Sequence, residues 1–285
     1  MGIQQGYVYL KLSGFTNIIK TLWGGMRLFD AYFQKYNIRL PLIFNCDIWN
    51  LVEQFYSIDY QPFSVKDLDY KNLKILHIRD AESAASLAGT SLTDYIHTCE
   101  QTTLHFYKQY TIPPAVFFNR FKLQPTAAAL IKEKQEQING PYVAVHIRGG
   151  DYVCKYQSYE QFITENSRFL EKVILENSDK KILLCTDDQA ILSKYVDNSK
   201  VFSFSINYEL LQKKCVVPAD KSLHTSLHLL QDYNISNYDV CLSTFLDFYL
   251  LVYSSKLHTN QHNYSTYAEM ALQLNDYARK HSIDF

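Results

Sequence analysis

Residues 142–153 read YVAVHIRGGDYV. An unbroken run from Tyr142 to Ile147 passes directly into Arg148, Gly149, Gly150 and Asp151. A short apolar run stopped by glycines suits a strand buried on both faces. The glycines let the backbone bend freely and approach a ligand closely. Arg148 supplies a planar fork suited to a phosphate group. His146 lies nearer the strand interior, in place to orient the loop by hydrogen bonding. The plainer alternative is a structural Arg148–Asp151 pair closing a turn. The triplet His-Ile-Arg recurs at residues 77–79 without glycines, so the triplet alone carries no information.

Downstream the pattern alternates. Helical spacing in YEQFITENSRFLEKVILENS precedes an apolar run, KKILLCTDD, and then the helix-like QAILSKYVDNS. KVFSFSI reads as a strand, TSLHLLQDYNISN as a helix, YDVCLS as a strand and FLDFYLLVYSSK as a helix. Strands alternating with helices build a parallel sheet covered on both faces. Upstream, YVYLKL (residues 7–12) reads as a strand ending at Ser13 and Gly14. A long helix follows, with Ile18, Ile19, Leu22, Trp23, Met26, Phe29 and Phe33 on one stripe. Gly24 and Gly25 weaken it and mark a place for close backbone packing. RLPLIFN and KILHIRD read as further strands, and TSLTDYIHTCEQTTLHFYKQYT as a helix. QPTAAALIKEKQEQING has Pro125 at its start and Gly140 at its end, the expected asymmetry of a helix. It is the connector, dividing the chain into domains 1–135 and 136–285, with the last helix free to pack back on the first.

The chain of 285 residues balances 28 Lys and Arg against 29 Asp and Glu, which argues against general nucleic-acid binding. Hydrophobic residues make up 47%, enough for ordinary cores. The six cysteines are dispersed without a C-x-x-C pair, so zinc and redox motifs find no support and the thiols read as reduced. No signal-peptide pattern opens the chain and no segment reaches the ~20 apolar residues of a membrane span. A cytoplasmic location is the expectation.

In open parallel sheets, ligands bind beyond the carboxyl ends of the strands. Four polar clusters fall there on this reading: SGFTN (13–17), HIRGGD (146–151), TDD (186–188) and STF (243–245). SGFTN and STF each open a helix, where free N–H groups favour a phosphate, with ordinary capping as the alternative. TDD reads first as a helix cap, and its adjacent carboxylates lack a DxD spacing.

These clusters, in this order, resemble the fucosyltransferase superfamily with the GT-B fold: the α-1,2-, α-1,6- and protein O-fucosyltransferases. YVAVHIRGGDYV looks like the family's H-x-R-x-G/R-x-D segment, SGFTNII like its G-x-x-N turn, and VCLSTF like its S-[ST]-F segment. The resemblance implies an α/β chain of two Rossmann-like domains with a cleft between them, and the donor held by the C-terminal one. It implies an inverting, metal-independent transfer from a nucleotide-sugar donor to a glycan acceptor, with no cofactor or metal. Arg148 would contact the donor pyrophosphate and His146 would support its loop. Ser243, Thr244 and Phe245 would bind phosphate and pack near the nucleotide, while Gly14, Phe15 and Asn17 approach from the other domain. Asp151 and Asp47 are the candidate bases. Where many relatives carry a second arginine this chain has Gly149. Where some read guanine with an acidic residue preceding the S-[ST]-F strand, Ser226 and His228 stand nearest. GDP-fucose is the favoured donor, another such as UDP-xylose the alternative, and a non-catalytic sugar- or nucleotide-binding module the second.

Overall fold

The computed structural model describes residues 5–8, 15–40, 42–44, 54–57, 63–64, 75–99, 103–107, 109–149, 155–204, 237–260 and 266–283. The chain divides into two units, Met1–Gln124 and Pro125–Phe285. The sequence reading places the division at 135/136. The connector helix instead lies wholly in the second unit.

The first unit holds a five-stranded parallel sheet. Its strands are β1 (Gln5–Val8), β2 (Leu42–Phe44), β4 (Phe63–Ser64), β5 (Ile75–His77) and β6 (Thr103–Phe106), in the order β4-β2-β1-β6-β5. A short antiparallel pair joins β3 (Tyr56–Ser57) to β7 (Lys122–Leu123). Helix α1 (Phe15–Tyr36) buries Ile18, Ile19, Leu22, Trp23, Met26 and Phe29 of the predicted stripe, and Gly24 and Gly25 with them, while Phe33 at its end is only partly buried. The next helices are α2 (Ile78–Leu87), α3 (Leu92–Thr98) and α4 (Pro114–Arg120).

One predicted helix proves to be two elements. Ser91 caps α3 by accepting from the Asp94 N–H at 3.2 Å, and the helix stops at Cys99, whose backbone is extended. Residues 103–106 then form β6, which pairs with both β1 and β5. Leu104 and Phe106 are buried while His105 between them is half-buried, the period of a strand. Tyr36 stacks on His97 with centroids 3.8 Å apart and donates to Asp94, tying α1 to α3.

The second unit begins with α5 (Pro125–Ile138). Asn139 (φ 57°) and Gly140 (φ 120°) end it in the left-handed region, as a helix C-terminus followed by glycine should. Strands β8 (Tyr142–Ile147), β9 (Lys181–Thr186), β10 (Val201–Phe202) and β11 (Lys256–Thr259) form a parallel sheet in the order β10-β9-β8-β11. Helices α6 (Tyr159–Glu176), α7 (Gln189–Tyr195), α8 (Asn237–Val252) and α9 (Thr266–His281) complete the described elements. Every residue of β8 is buried, as its unbroken apolar run requires. Val143, Val145 and Ile147 pack with Phe162, Leu170 and Val173 of α6 and with Ile191 of α7. Tyr142 points to the opposite face and donates to the Leu250 carbonyl of α8 at 2.8 Å.

Two corrections concern this unit. YDVCLS is not a strand, because Asn237–Val252 is one helix. Phe245, Phe248, Tyr249, Leu250, Leu251 and Val252 are each at most 1% exposed, so the helix is apolar almost all round. The misread YDVCLS is a short apolar run, which periodicity alone does not separate from a strand, whereas the helix reading from Phe245 onward holds. The strand in that region is KLHT, β11, of which the sequence reading assigns only Lys256, as the end of a helix. The last helix, α9, packs within the second unit: Asn275 donates from Nδ2 to the Val252 and Ser254 carbonyls, both at 2.8 Å, closing the end of α8. The predicted helix TSLHLLQDYNISN lies outside the described residues. Among the described residues, no helix is long and apolar enough to cross a membrane.

Candidate functional site

The second sheet reverses its direction of winding between β8 and β11. β8, β9 and β10 run outward on one side, and the chain returns to place β11 on the other. A parallel sheet opens its crevice at such a switch, beyond the carboxyl ends. There Ile147 leads into Arg148 and Gly149, and Thr259 into Asn260.

Gly149 is fixed by its neighbours on the β9 loop. Its N–H donates to Asp187 Oδ1 at 2.5 Å. A Cβ at this position would meet Asp188 Cβ at 3.1 Å, with Asp187 Oδ1 and Asp188 Oδ2 at 3.3 Å. Asp188 has little room to yield. It caps α7 by accepting from the Ile191 N–H at 3.0 Å, and it accepts from the Tyr159 hydroxyl at 3.0 Å. The Thr-Asp-Asp cluster is thus a helix cap plus a brace for the Arg148 loop. Gly149→Ala is therefore expected to destabilise the protein by about 1–3 kcal/mol through overpacking, and Gly149→Arg by at least as much. Urea unfolding of each variant checks this, and unchanged midpoints would contradict it.

Burial pushes the Asp187 carboxyl above its ordinary range, opposed by the Gly149 N–H and then by the Arg148 charge. His146 is buried at 9% exposure, with its ring against Tyr267 at 5.3 Å between centroids. Its Nδ1 makes no hydrogen bond among the described residues. Burial first, and the Arg148 charge second, lower its pKa to about 4. Tyr267 in turn donates from its hydroxyl to the Thr244 carbonyl at 2.9 Å.

Ser243, Thr244 and Phe245 do not form a strand-end phosphate seat. They lie inside α8, where backbone N–H groups already serve the helix. Phe245 is fully buried against Tyr249, with centroids 4.9 Å apart. Tyr267 links Thr244 to His146. The strand end that does face the switch is Thr259–Asn260, with α9 opening at Thr266. Sequence reasoning missed it, although a short strand followed by NQHNYST and a helix repeats the strand–polar–helix pattern used elsewhere. Asp247 also lies on α8. Its carboxylate faces the buried Cys185 thiol, whose pKa is raised by burial and then by Asp247.

In the first unit, Phe15 and Asn17 occupy the first turn of α1, after β1, where that sheet switches between β1 and β6. Phe15 is buried and stacks on Tyr56 at 6.5 Å, a core role. Asn17 keeps a buried Oδ1 with no hydrogen bond among the described residues. Gly14, Asp47, Asp151, Ser226 and His228 lie outside the described residues. Among the described residues, no group of three His, Cys, Asp or Glu side chains is placed to hold a metal ion.

Compared with solved structures, the chain is similar to NodZ α-1,6-fucosyltransferase soaked with GDP-fucose, at 16% identity and a TM-score of 0.57, over 95% of this chain and 92% of that one. It is similar at 15% identity, with the same TM-score and coverage, to fucosyltransferase NodZ from Bradyrhizobium. The POFUT1 structure in complex with GDP matches at 10% identity and a TM-score of 0.50, over 96% of each chain. The chain has the GT-B fold of these fucosyltransferases. No family model matches it, and comparison with curated protein sequences finds no match. At such identities the likeness is one of fold, and the chemistry is argued from the residues.

Proposed function

We propose that this chain is a glycosyltransferase of the fucosyltransferase type, binding a nucleotide sugar at the carboxyl ends of β8 and β11. The observation that carries the proposal is Arg148, held beside a close-packed glycine at the switch point of a sheet whose fold is that of GDP-binding fucosyltransferases. Arg148 contacts the donor pyrophosphate. As a hydroxyl of the glycan acceptor attacks the sugar carbon, the bond to the diphosphate oxygen breaks and its electron pair leaves with the nucleotide. Arg148 stabilises that charge, and the N-terminus of α9 favours phosphate by its dipole. Attack opposite the leaving group inverts the sugar carbon. Asp151 is the proposed acceptor of the hydroxyl proton.

GDP-fucose is the proposed donor, supported by the likeness in fold to structures holding GDP-fucose or GDP. The test is nucleotide release from a panel of GDP-fucose, GDP-mannose, UDP-xylose and UDP-glucose, with EDTA present. GDP release from GDP-fucose is the expected result. Release from UDP-xylose alone would replace the donor, and release from none would count against transfer.

A further inference from the structure

The first sheet carries a polar pair that the proposed transfer does not use. His77 ends β5, and His105 lies opposite it in register on β6. Neighbouring strands stand about 4.7–4.9 Å apart, so side chains at one register position lie side by side. The two Nδ1 atoms come within 3.0 Å, with ring centroids 4.9 Å apart and ring planes at 52°. His77 is exposed and His105 half-buried, so the pair opens to solvent. His77 also precedes α2, yet its side chain makes no capping hydrogen bond there.

A neutral imidazole has one ring hydrogen, so this contact is one donor meeting one acceptor. With both ring hydrogens on Nε2, the two Nδ1 lone pairs are left to one shared cation, which takes the place of the hydrogen between them. Metal–imidazole bonds run about 2.0–2.1 Å, so nitrogens 3.0 Å apart subtend about 90–100° at the metal. That is the angle between neighbouring ligands of a square-planar or octahedral ion, and it falls short of the tetrahedral angle of zinc sites. Imidazole nitrogens in a tetragonal arrangement suit Cu(II) and Ni(II), whereas Mg(II) takes oxygen ligands. The surrounding charges are of both signs. Asp80 in the first turn of α2 offsets the positive end of that helix beside His77. Arg79 lays its guanidinium over the Tyr107 ring at 5.3 Å, and that ring lies 5.5 Å from His105 and 6.4 Å from His77 between centroids.

We propose that His77 and His105 form a two-histidine chelate for a divalent ion of tetragonal preference, Cu(II) or Ni(II), which clips the edge strand β5 to β6. Water completes the coordination. The strands hold both ligands in register, so binding asks for rotation of the rings and no change of backbone, the advantage of a site built on regular elements. The chelate is independent of the glycosyltransferase reading, whose own test is run with EDTA present.

The test titrates metal-free full-length protein, labelled with ¹⁵N in its imidazoles, with nickel(II) chloride. Ni(II) is the probe because, unlike Cu(II), it leaves thiols unoxidised. The His77 and His105 resonances should shift or broaden together at the first equivalent, ahead of the rest of the nine histidines. Calorimetry should give an affinity that falls at least tenfold in His77→Gln and in His105→Gln, and no heat of binding with Mg(II). If His105→Gln fails to fold, His77→Gln at the exposed position and the order of response in the unmodified protein carry the test. A response spread evenly over the histidines, equal binding of Mg(II), undiminished affinity in His77→Gln, or no binding of Ni(II) overturns the chelate.

Discussion

Arg148→Ala is expected to lower nucleotide-sugar turnover by at least a hundredfold and to remove the thermal stabilisation given by GDP. A guanidinium on a pyrophosphate makes charge-assisted, often bidentate hydrogen bonds, each worth about 1.5–3 kcal/mol. Stabilising a leaving group adds the further effect seen when preorganised donors are removed, about 10²–10³ in rate. Arg148→Lys should recover part of the binding and little of the rate, since the charge stays but the planar fork is lost. The fold should survive both changes, because the Gly149 N–H on Asp187 and the Asp188 cap on α7 hold the loop in either variant. Circular dichroism and nucleotide release on the same samples separate the two outcomes. Undiminished release from Arg148→Ala would remove this residue from the mechanism.

The second large effect is acid lability. His146 has a folded pKa of about 4 against an ordinary 6.5. The unfolded chain therefore binds more protons than the native one between those values, and stability falls as the pH falls. The contribution is complete above pH 6.5 and is lost at about 1.4 kcal/mol per pH unit below it, or about 2 kcal/mol by pH 5. His105, lowered to about 4 by burial and then by His77, acts in the same direction. Its partial exposure makes its share smaller. Asp187, raised by burial, works in the opposite sense as it protonates at lower pH. Urea unfolding at pH 7.5 and pH 5 should show this loss, and His146→Gln should remove most of it. An equal loss in His146→Gln would place the lability elsewhere.

How far the fold could be read from sequence follows from how each segment signals itself. β8 and β9 stand out because both are continuous apolar runs closed by Gly149 and by Asp187–Asp188. α6 stands out because Phe162, Leu170 and Val173 repeat at helical spacing against polar neighbours. α8 misleads only in its first part: Tyr238 to Ser243 reads as a strand, while Phe245 to Val252 reads as the helix it is. β11 is concealed by length, since KLHT offers a single apolar residue, Leu257, and takes its strand character from pairing with β8. β6 follows a genuine helix after a short gap, and only the burial of Leu104 and Phe106 beside His105 separates them. The site follows the same division. Arg148 and Gly149 were readable because glycines beside arginine at a strand end have few structural uses. Thr259 and Asn260 were hidden, because nothing in their local sequence shows which strand lies across the switch. Gly149 illustrates the gain: its place in the sequence looks like a lost arginine, and the structure shows a position where even a Cβ would meet Asp188 tightly, at 3.1 Å.

The most direct test of the central claim is the melting temperature of the unmodified protein with saturating GDP, UDP or ADP. A ligand at a hundredfold its Kd adds about 2.7 kcal/mol of stability, which for units of this size is a rise of roughly 5–10 °C. A rise of that size is expected with GDP, abolished by Arg148→Ala, and a much smaller one with UDP and ADP. No rise with any of the three, or a GDP rise that Arg148→Ala leaves intact, would contradict a nucleotide site at the carboxyl ends of β8 and β11.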